Sequence, residues 1–347
     1  MTLFPDRAAF DAALAALPEP AAMAIESARA HQKSLCKPEG SLGRLEDIAV
    51  FMAGWQGTPH PRLRRGQTIV FAGNHGIARY GVSAFPPELT CGMVENFERG
   101  GAAINALSLT AGLDFKVVAL DLDRPTSDFT TGPAMSESET LAALSAGAAA
   151  VEDDLDLLVI GEMGIANTTT AAALACLVYG GEPAEWVGRG TGIDTAGVAR
   201  KTDVVERAMA VHRETPRTAL DLLAAVGGRE LAAMAGAVLG ARLKRIPVVL
   251  DGFICCTSIA PLVMQNSDIL HHCIAGHQSE EPGHGRVLKH FGLSPLLRLN
   301  MRLGEASGAA VATLLIRAAL ATHTQMATIE EALAGAAPRP RVAEPAE

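Results

Sequence analysis

Apolar positions recur along the chain with two different periods. Residues 67–72, 115–121, 155–160 and 246–253 are short runs rich in Val, Ile, Leu and Phe, and each leads into small or polar residues. Such runs predict buried strands, the last with its exit loop, and residues 271–276 predict a further short one. Between them the spacing changes to that of helices. Residues 8–30 carry Ala, Leu and Met at helical spacing, broken at Pro18 and Pro20, which predicts two short helices. Pro38 and Gly40 force a turn, and Ser41 is placed to cap a helix running to Trp55. A helix over 90–112 is interrupted at Gly100-Gly101, an Ala-rich helix follows over 136–150, and others cover 171–179 and 198–213. Ala260-Pro261 reads as a helix start, and a long Ala-rich helix ends near residue 322.

Strands alternating with helices across residues 65–290 predict an α/β fold, a mostly parallel sheet covered on both faces. The helices at the two chain ends have no strands of their own. They predict a small helical domain from residues 1–60 and 301–336 beside a large α/β domain over 61–300. Residues 337–347 are rich in Pro, Ala and Glu and predict a disordered tail. No internal repeat is evident.

Composition narrows the function. The 347 residues are 49 % hydrophobic with 34 Gly, 10 Phe, 2 Trp and 2 Tyr, which fits helices packed tightly on a sheet. The net charge is −9 and no basic run exceeds Arg62-Leu63-Arg64-Arg65, so nucleic acid is not an expected partner. No apolar span is long enough for a bilayer and the first residues lack a signal pattern, so a cytoplasmic location is expected. The six cysteines form no Cys-x-x-Cys pair, and Cys176, Cys255 and Cys256 read as small buried hydrophobes.

The candidate chemistry sits where strands end. Gly161-Glu162-Met163-Gly164-Ile165-Ala166-Asn167-Thr168-Thr169-Thr170 joins a strand to a helix, the position at which open α/β sheets bind ligands. Gly161 and Gly164 let backbone approach a ligand, the Thr run can cap the helix, and its N–H groups suit an anion. Glu162 opposes a phosphate there and is either a solvated loop residue or a functional acid. Gly73-Asn74-His75-Gly76 ends an earlier strand; His75 is a base, a ligand or a loop-orienting group. The stiff loop 81–87 offers Phe85 to a flat ligand or to packing. Val187-Gly188-Arg189-Gly190-Thr191-Gly192 lacks dinucleotide spacing but can cradle an anion, and Lys201 follows it, solvated or facing phosphate. His271, His272, His277 and His284 invite a zinc reading, but their spacing fits no common ligand set.

In this order the motifs resemble the nicotinate-nucleotide–dimethylbenzimidazole phosphoribosyltransferase family over nearly the whole chain. The resemblance rests on the run from Lys37 to Glu46, on Asn74-His75-Gly76, on the Glu162 stretch, on Asp251-Gly252-Phe253, and on Leu303-Gly304-Glu305-Ala306-Ser307-Gly308-Ala309-Ala310. It implies a Rossmann-like large domain, a small helical domain from both termini, and a homodimer. The implied reaction takes nicotinate mononucleotide and 5,6-dimethylbenzimidazole to α-ribazole 5′-phosphate and nicotinate, with neither cofactor nor metal. It carries a catalytic carboxylate onto Glu305 and a second active-site carboxylate onto Glu162. It also places Gly188, Gly190, Thr191, Lys201 and Ser279 near the phosphate, and Gly164 and Leu303 among the substrate-binding positions. Two departures stand out. Asn74 replaces a frequent Asp, and Phe85 and Met93 make the benzimidazole pocket more apolar, leaving other benzimidazoles or a purine as acceptors. A pyrophosphate-activated sugar donor is the rival reading, although Glu152-Asp153-Asp154 precede their strand instead of following it. A non-catalytic nucleotide-binding protein and a zinc hydrolase built on the histidine segment are further alternatives.

Overall fold

A computed structural model describes residues 3–190 and 192–335; the tail expected over 337–347 lies outside them. The strands are β1 (Gly66–Ala72), β2 (Asp114–Ala119), β3 (Leu157–Met163), β4 (Val248–Leu250) and β5 (Cys273–Ala275). The early helices are α1 (Arg7–Ala15), α2 (Ala22–Ser34), α3 (Arg44–Gln56), α4 (Leu89–Glu98), α5 (Ala103–Ala111) and α6 (Glu137–Ala150). The middle ones are α7 (Asn167–Tyr179), α8 (Thr195–His212), α9 (Ala219–Val226) and α10 (Arg229–Leu243). The last are α11 (Phe253–Gln265), α12 (Pro282–Phe291), α13 (Ser307–Gln325) and α14 (Ile329–Leu333). All pairings are parallel, in the order β2-β1-β3-β4-β5.

Strand side chains alternate between two cores, as a period of two requires. Ile69, Phe71, Leu158 and Ile160 face the larger core with α6, α7, α10 and α11. Val70, Leu157, Val159 and Val249 face a second core with α3, α5 and α13. The terminal helices divide between these faces: Phe10 and Leu14 of α1 join the larger core, whereas Ile48 of α3 and Ile316 of α13 join the second. The small residues act as expected: a Cβ on Gly236 of α10 would lie 2.7 Å from the Leu144 Cα of α6, so small residues let these two helices touch.

Several boundaries differ from the sequence reading, each for a local reason. β3 continues through Glu162 to Met163 because β1 pairs with it that far, Phe71 opposite Glu162. Ser41 does not cap α3; Gly43 is its N-cap, and Glu46 accepts from Leu42 N at 3.0 Å and pairs with Lys37 at 2.7 Å. The helix expected from Ala260 begins at Phe253, with Pro261 inside it. Pro261 lacks the N–H that the Thr257 carbonyl would accept. Residues 267–272 form a 3-10 turn instead of opening a strand. Helices α9 and α10, to which the pattern assigned nothing, are almost wholly buried. Cys176, Cys255 and Cys256 are buried, as expected, and so is Cys273, whereas Cys36 is exposed and Cys91 half-buried. No helix among the described residues is long and apolar enough to cross a membrane.

Candidate functional site

The strand order reverses direction between β1 and β3, and crevices at such a point take ligands at the carboxyl ends of the strands. A cleft of about 680 Å³, its open mouth included, lies at that end. Glu162, Gly164, Gly190, Ser279, Leu303 and Glu305 all line it. Six positions singled out from the sequence therefore converge from the β3 exit, the glycine-rich loop, the β5 exit and the segment before α13.

Glu162 and Glu305 are each 7 % exposed. Glu162 lies near the end of β3, and Asn167 Nδ2, at the start of α7, donates to its carboxyl group. Glu305 is mounted differently. It and Ala306 have φ of 60° and 65°, a left-handed conformation that side chains other than Gly rarely adopt. The turn is held against the sheet: a Cβ on Gly161 would lie 2.7 Å from Ala306 Cα, so β3 must carry glycine where this turn rests. Asp251, from the β4 exit, accepts from Ala309 N at 3.0 Å and thereby caps α13 directly behind Glu305. His277 Nε2 approaches the same Asp251 oxygen at 3.4 Å.

The two acids hold protons unusually well. Burial first, then the charges of Asp251, Glu230 and Glu305, push the Glu162 carboxyl up to about 8. Burial and then Asp251 push Glu305 up to about 7. Glu305 thus ionises first, and one cleft holds a carboxylate and a carboxylic acid near neutral pH, the division that separates base from donor.

Arg302 lines the cleft, whereas Lys201, expected at the phosphate, is not among the lining residues and lies behind Thr168 and Gly190. Lys201 of α8 is 2 % exposed, and its Nζ donates to Thr168 Oγ1 at 2.7 Å and to the Gly188 carbonyl at 3.3 Å. Burial lowers its amine to about 8, with Glu281 acting against the shift. Gly190 N donates to Glu281 Oε1 at 2.9 Å, and Arg302 donates to the Gly190 carbonyl at 3.2 Å, which fixes the loop from two sides. Ser279 N donates to His284 Nδ1 at 2.9 Å, so that ring is a neutral acceptor, in line with burial lowering it to about 3.

Other expected residues go elsewhere. Gly188 lines an adjoining recess with Arg302 and Glu281, and Thr191 lies outside the described residues. Phe85 is 48 % exposed and Met93 packs against the second core; neither is among the residues lining the cleft. Lys37 is taken up by Glu46, and Arg44 donates to the carbonyls of Ser294 and Pro295. Glu152 pairs with Arg65 at 3.2 Å and Asp153 with Lys244 at 2.7 Å, ahead of β3 and away from its carboxyl end. The four histidines of residues 271–284 share no partner: Asp268 pairs with His271, the Ile269 and Val238 carbonyls with His272, Asp251 with His277 and Ser279 with His284. Among the described residues His31, His60 and His323 do bring ring nitrogens within 4.8 Å of one another. Both nitrogens of His323 are already engaged, by Gln32 and by the Pro59 carbonyl, each at 2.8 Å. Sequence reasoning assigned no role to Asn167, Glu230, Glu281 or Arg302, and it met His277 only as a zinc ligand. Each sits in a stretch where a polar residue is unremarkable.

Comparison with known proteins decides the family. A family model described as Phosphoribosyltransferase (DBI_PRT) matches residues 17–333. A nicotinate-nucleotide–dimethylbenzimidazole phosphoribosyltransferase of Novosphingobium aromaticivorans is 62 % identical over 332 residues, covering 96 % of this chain and 98 % of its own. The chain belongs to this family. Another member, from Jannaschia sp., is 53 % identical over 323 residues and covers 93 % of this chain and 96 % of its own. The crystal structure of CobT from Thermus thermophilus superposes with a TM-score of 0.82 at 38 % identity, over 91 % of this chain and 99 % of that one. The family's fold is the α/β sheet described above.

Proposed function

We propose that the chain transfers the 5-phosphoribosyl group of nicotinate mononucleotide to 5,6-dimethylbenzimidazole, inverting the anomeric carbon. The convergence of Glu162 and Glu305 in one cleft, in a chain of this family, carries the reading. A benzimidazole nitrogen attacks C1′ as the bond from C1′ to the pyridinium nitrogen breaks. That electron pair returns to the pyridine ring, whose nitrogen leaves uncharged. The new bond makes the benzimidazole cationic until its other N–H gives up a proton, and the Glu305 carboxylate takes it. Glu162, still protonated, donates a hydrogen bond to the ribose and orients it. Lys201, the loop at Gly188 and Gly190, and Ser279 hold the phosphate. Met163, Ile165, Phe253 and Leu303 line the cleft and supply apolar walls for a flat base. The chain works as a homodimer.

Product analysis tests the proposal. Nicotinate mononucleotide is supplied with 5,6-dimethylbenzimidazole, other benzimidazoles and a purine, to the wild type and to Glu305→Gln. Nicotinate release should require an added base and collapse in the variant. Release without a base, or dependence on magnesium and a pyrophosphate-activated sugar, would overturn the reading.

A further inference from the structure

His75 and Glu230 form a buried acid–base pair beside the site that the reaction above leaves without a task. Both side chains are wholly buried, and His75 Nε2 lies 2.5 Å from Glu230 Oε1. Thr170 Oγ1, on α7, meets the other ring nitrogen at 3.0 Å. Glu230 belongs to the first turn of α10, where the helix dipole favours an anion. A carboxyl group without a partner in so dry a position is unfavourable, and the imidazole supplies a hydrogen-bond partner.

The pair lies directly beneath the Glu162 turn. A Cβ on Gly164 would come within 2.9 Å of Glu230 Oε1, and one on Gly228 within 2.7 Å of Oε2. Gly73, at the β1 exit, packs against the same carboxylate, and Gly73 N donates to the Met163 carbonyl at 3.0 Å. Three glycines thus leave space for one acid at the ends of the two strands that flank the crevice. From the turn the link continues: Asn167 N donates to the Gly164 carbonyl at 3.2 Å, and Asn167 Nδ2 donates to Glu162. Among the described residues Glu230 Oε2 has no hydrogen-bond partner, so the contact with His75 through Oε1 is what holds this side chain.

We propose that His75 and Glu230 form a positioning pair: they prop the Gly73 and Gly164 turns from below and so fix the place of Glu162. The proposal rests on Glu162 having the role given above. The groups that face Glu162 are Asp251 from the β4 exit, Glu305 from the segment before α13, Asn167 from α7, Glu230 from α10 and the Cys255 thiol from α11. Glu230 can be replaced with every residue lining the cleft left in place. Its negative charge helps Glu162 keep its proton, so the pair sets both where the donor stands and when it loses the proton.

The test compares wild type, Glu230→Gln and Glu230→Asp by the pH dependence of kcat, with KM for nicotinate mononucleotide followed separately. Glu230→Gln keeps an oxygen for His75 but removes the charge. Its kcat should fall by about 10²-fold through misplacement, with KM nearly unchanged. Its high-pH limb should move down by about one unit, while Glu230→Asp keeps the wild-type limb. A limb that stays in place in Glu230→Gln would overturn the proposal and leave a purely structural pair. If the variants do not fold, proton NMR of the wild type decides: the proton shared by His75 Nε2 and Glu230 Oε1 should give a downfield, slowly exchanging signal, and its absence would overturn the proposal without bearing on whether nicotinate is released.

Discussion

Glu305→Gln should make the protein more stable and nearly inactive, and the stability gain should exist only at neutral and alkaline pH. The acid is raised from 4.5 to about 7 in the fold. Each pKa unit is worth about 1.4 kcal/mol, so the ionised side chain destabilises the native state by on the order of 3 kcal/mol. The sign follows from proton linkage. A carboxyl whose pKa is raised by folding costs nothing below its ordinary value, because both states are protonated. The penalty grows between 4.5 and about 7 and is complete above that. Gln has no charge to desolvate, and it takes over the same left-handed backbone at φ 60° without new strain at that point. Thermal melts of the two proteins at about pH 5 and about pH 8 should therefore nearly coincide at the lower pH and separate at the higher, with the variant melting later. Nicotinate release should drop by about 10²–10⁴-fold. Equal or lower stability of the variant at the higher pH would refute the claim that Glu305 is buried as an anion. Undiminished turnover would remove it as the base.

Other perturbations address the remaining parts of the site. Lys201→Met should raise KM for nicotinate mononucleotide by about 10–100-fold, the worth of charge-assisted hydrogen bonds, and leave kcat at saturation much less affected; a change confined to kcat would take Lys201 away from the phosphate. In the wild type the same KM should climb above about pH 8 as the amine, lowered by burial, loses its proton; a KM that stays flat through that pH would contradict this. Gly161→Ala should destabilise by about 1–3 kcal/mol and disable the site, since the new methyl displaces the turn that carries Glu305; circular-dichroism melts and the nicotinate assay read both, and a stable, active variant would refute the close approach.

What the sequence disclosed depended on whether the signal was periodic or pairwise. The strand runs have alternating or continuous apolar character, and the parallel sheet follows from their alternation with helices. The ends of those elements were less legible. That β3 carries Glu162 as a strand residue depends on its pairing with β1, which no local window contains. Pro261 suggested a helix start because Pro favours first turns, yet burial of nearly all of α11 tolerates it inside. Helix α10 gave no amphipathic signal because it is buried on all sides. In the site, Glu305 and Glu162 were found by motif, and their nearness is a property of the fold. Glu230 had no signal at all: an acid in the first turn of an Ala-rich helix is ordinary until His75 is seen against it.

The order in which the two acids lose protons follows from what surrounds each, and one residue tests it. Asp251 acts on both: after burial it is the largest influence raising Glu162 and the one neighbouring charge raising Glu305. Glu162 additionally faces Glu230, a charge that is not among the influences on Glu305. Asp251→Asn keeps an oxygen for Ala309 N, so α13 stays capped and the Glu305 turn keeps its seat. What disappears is a shared negative charge. The rising limb of kcat, owed to Glu305 ionising, and the falling limb, owed to Glu162, should therefore both move to lower pH. Removal of the Glu230 charge moves only the falling limb, because that acid is not among the influences on Glu305. The two profiles distinguish a charge common to the base and the donor from a charge that addresses the donor alone. If Asp251→Asn shifted one limb and left the other, the two carboxyl groups would not share a field, and the division of labour drawn from their unequal surroundings would fall.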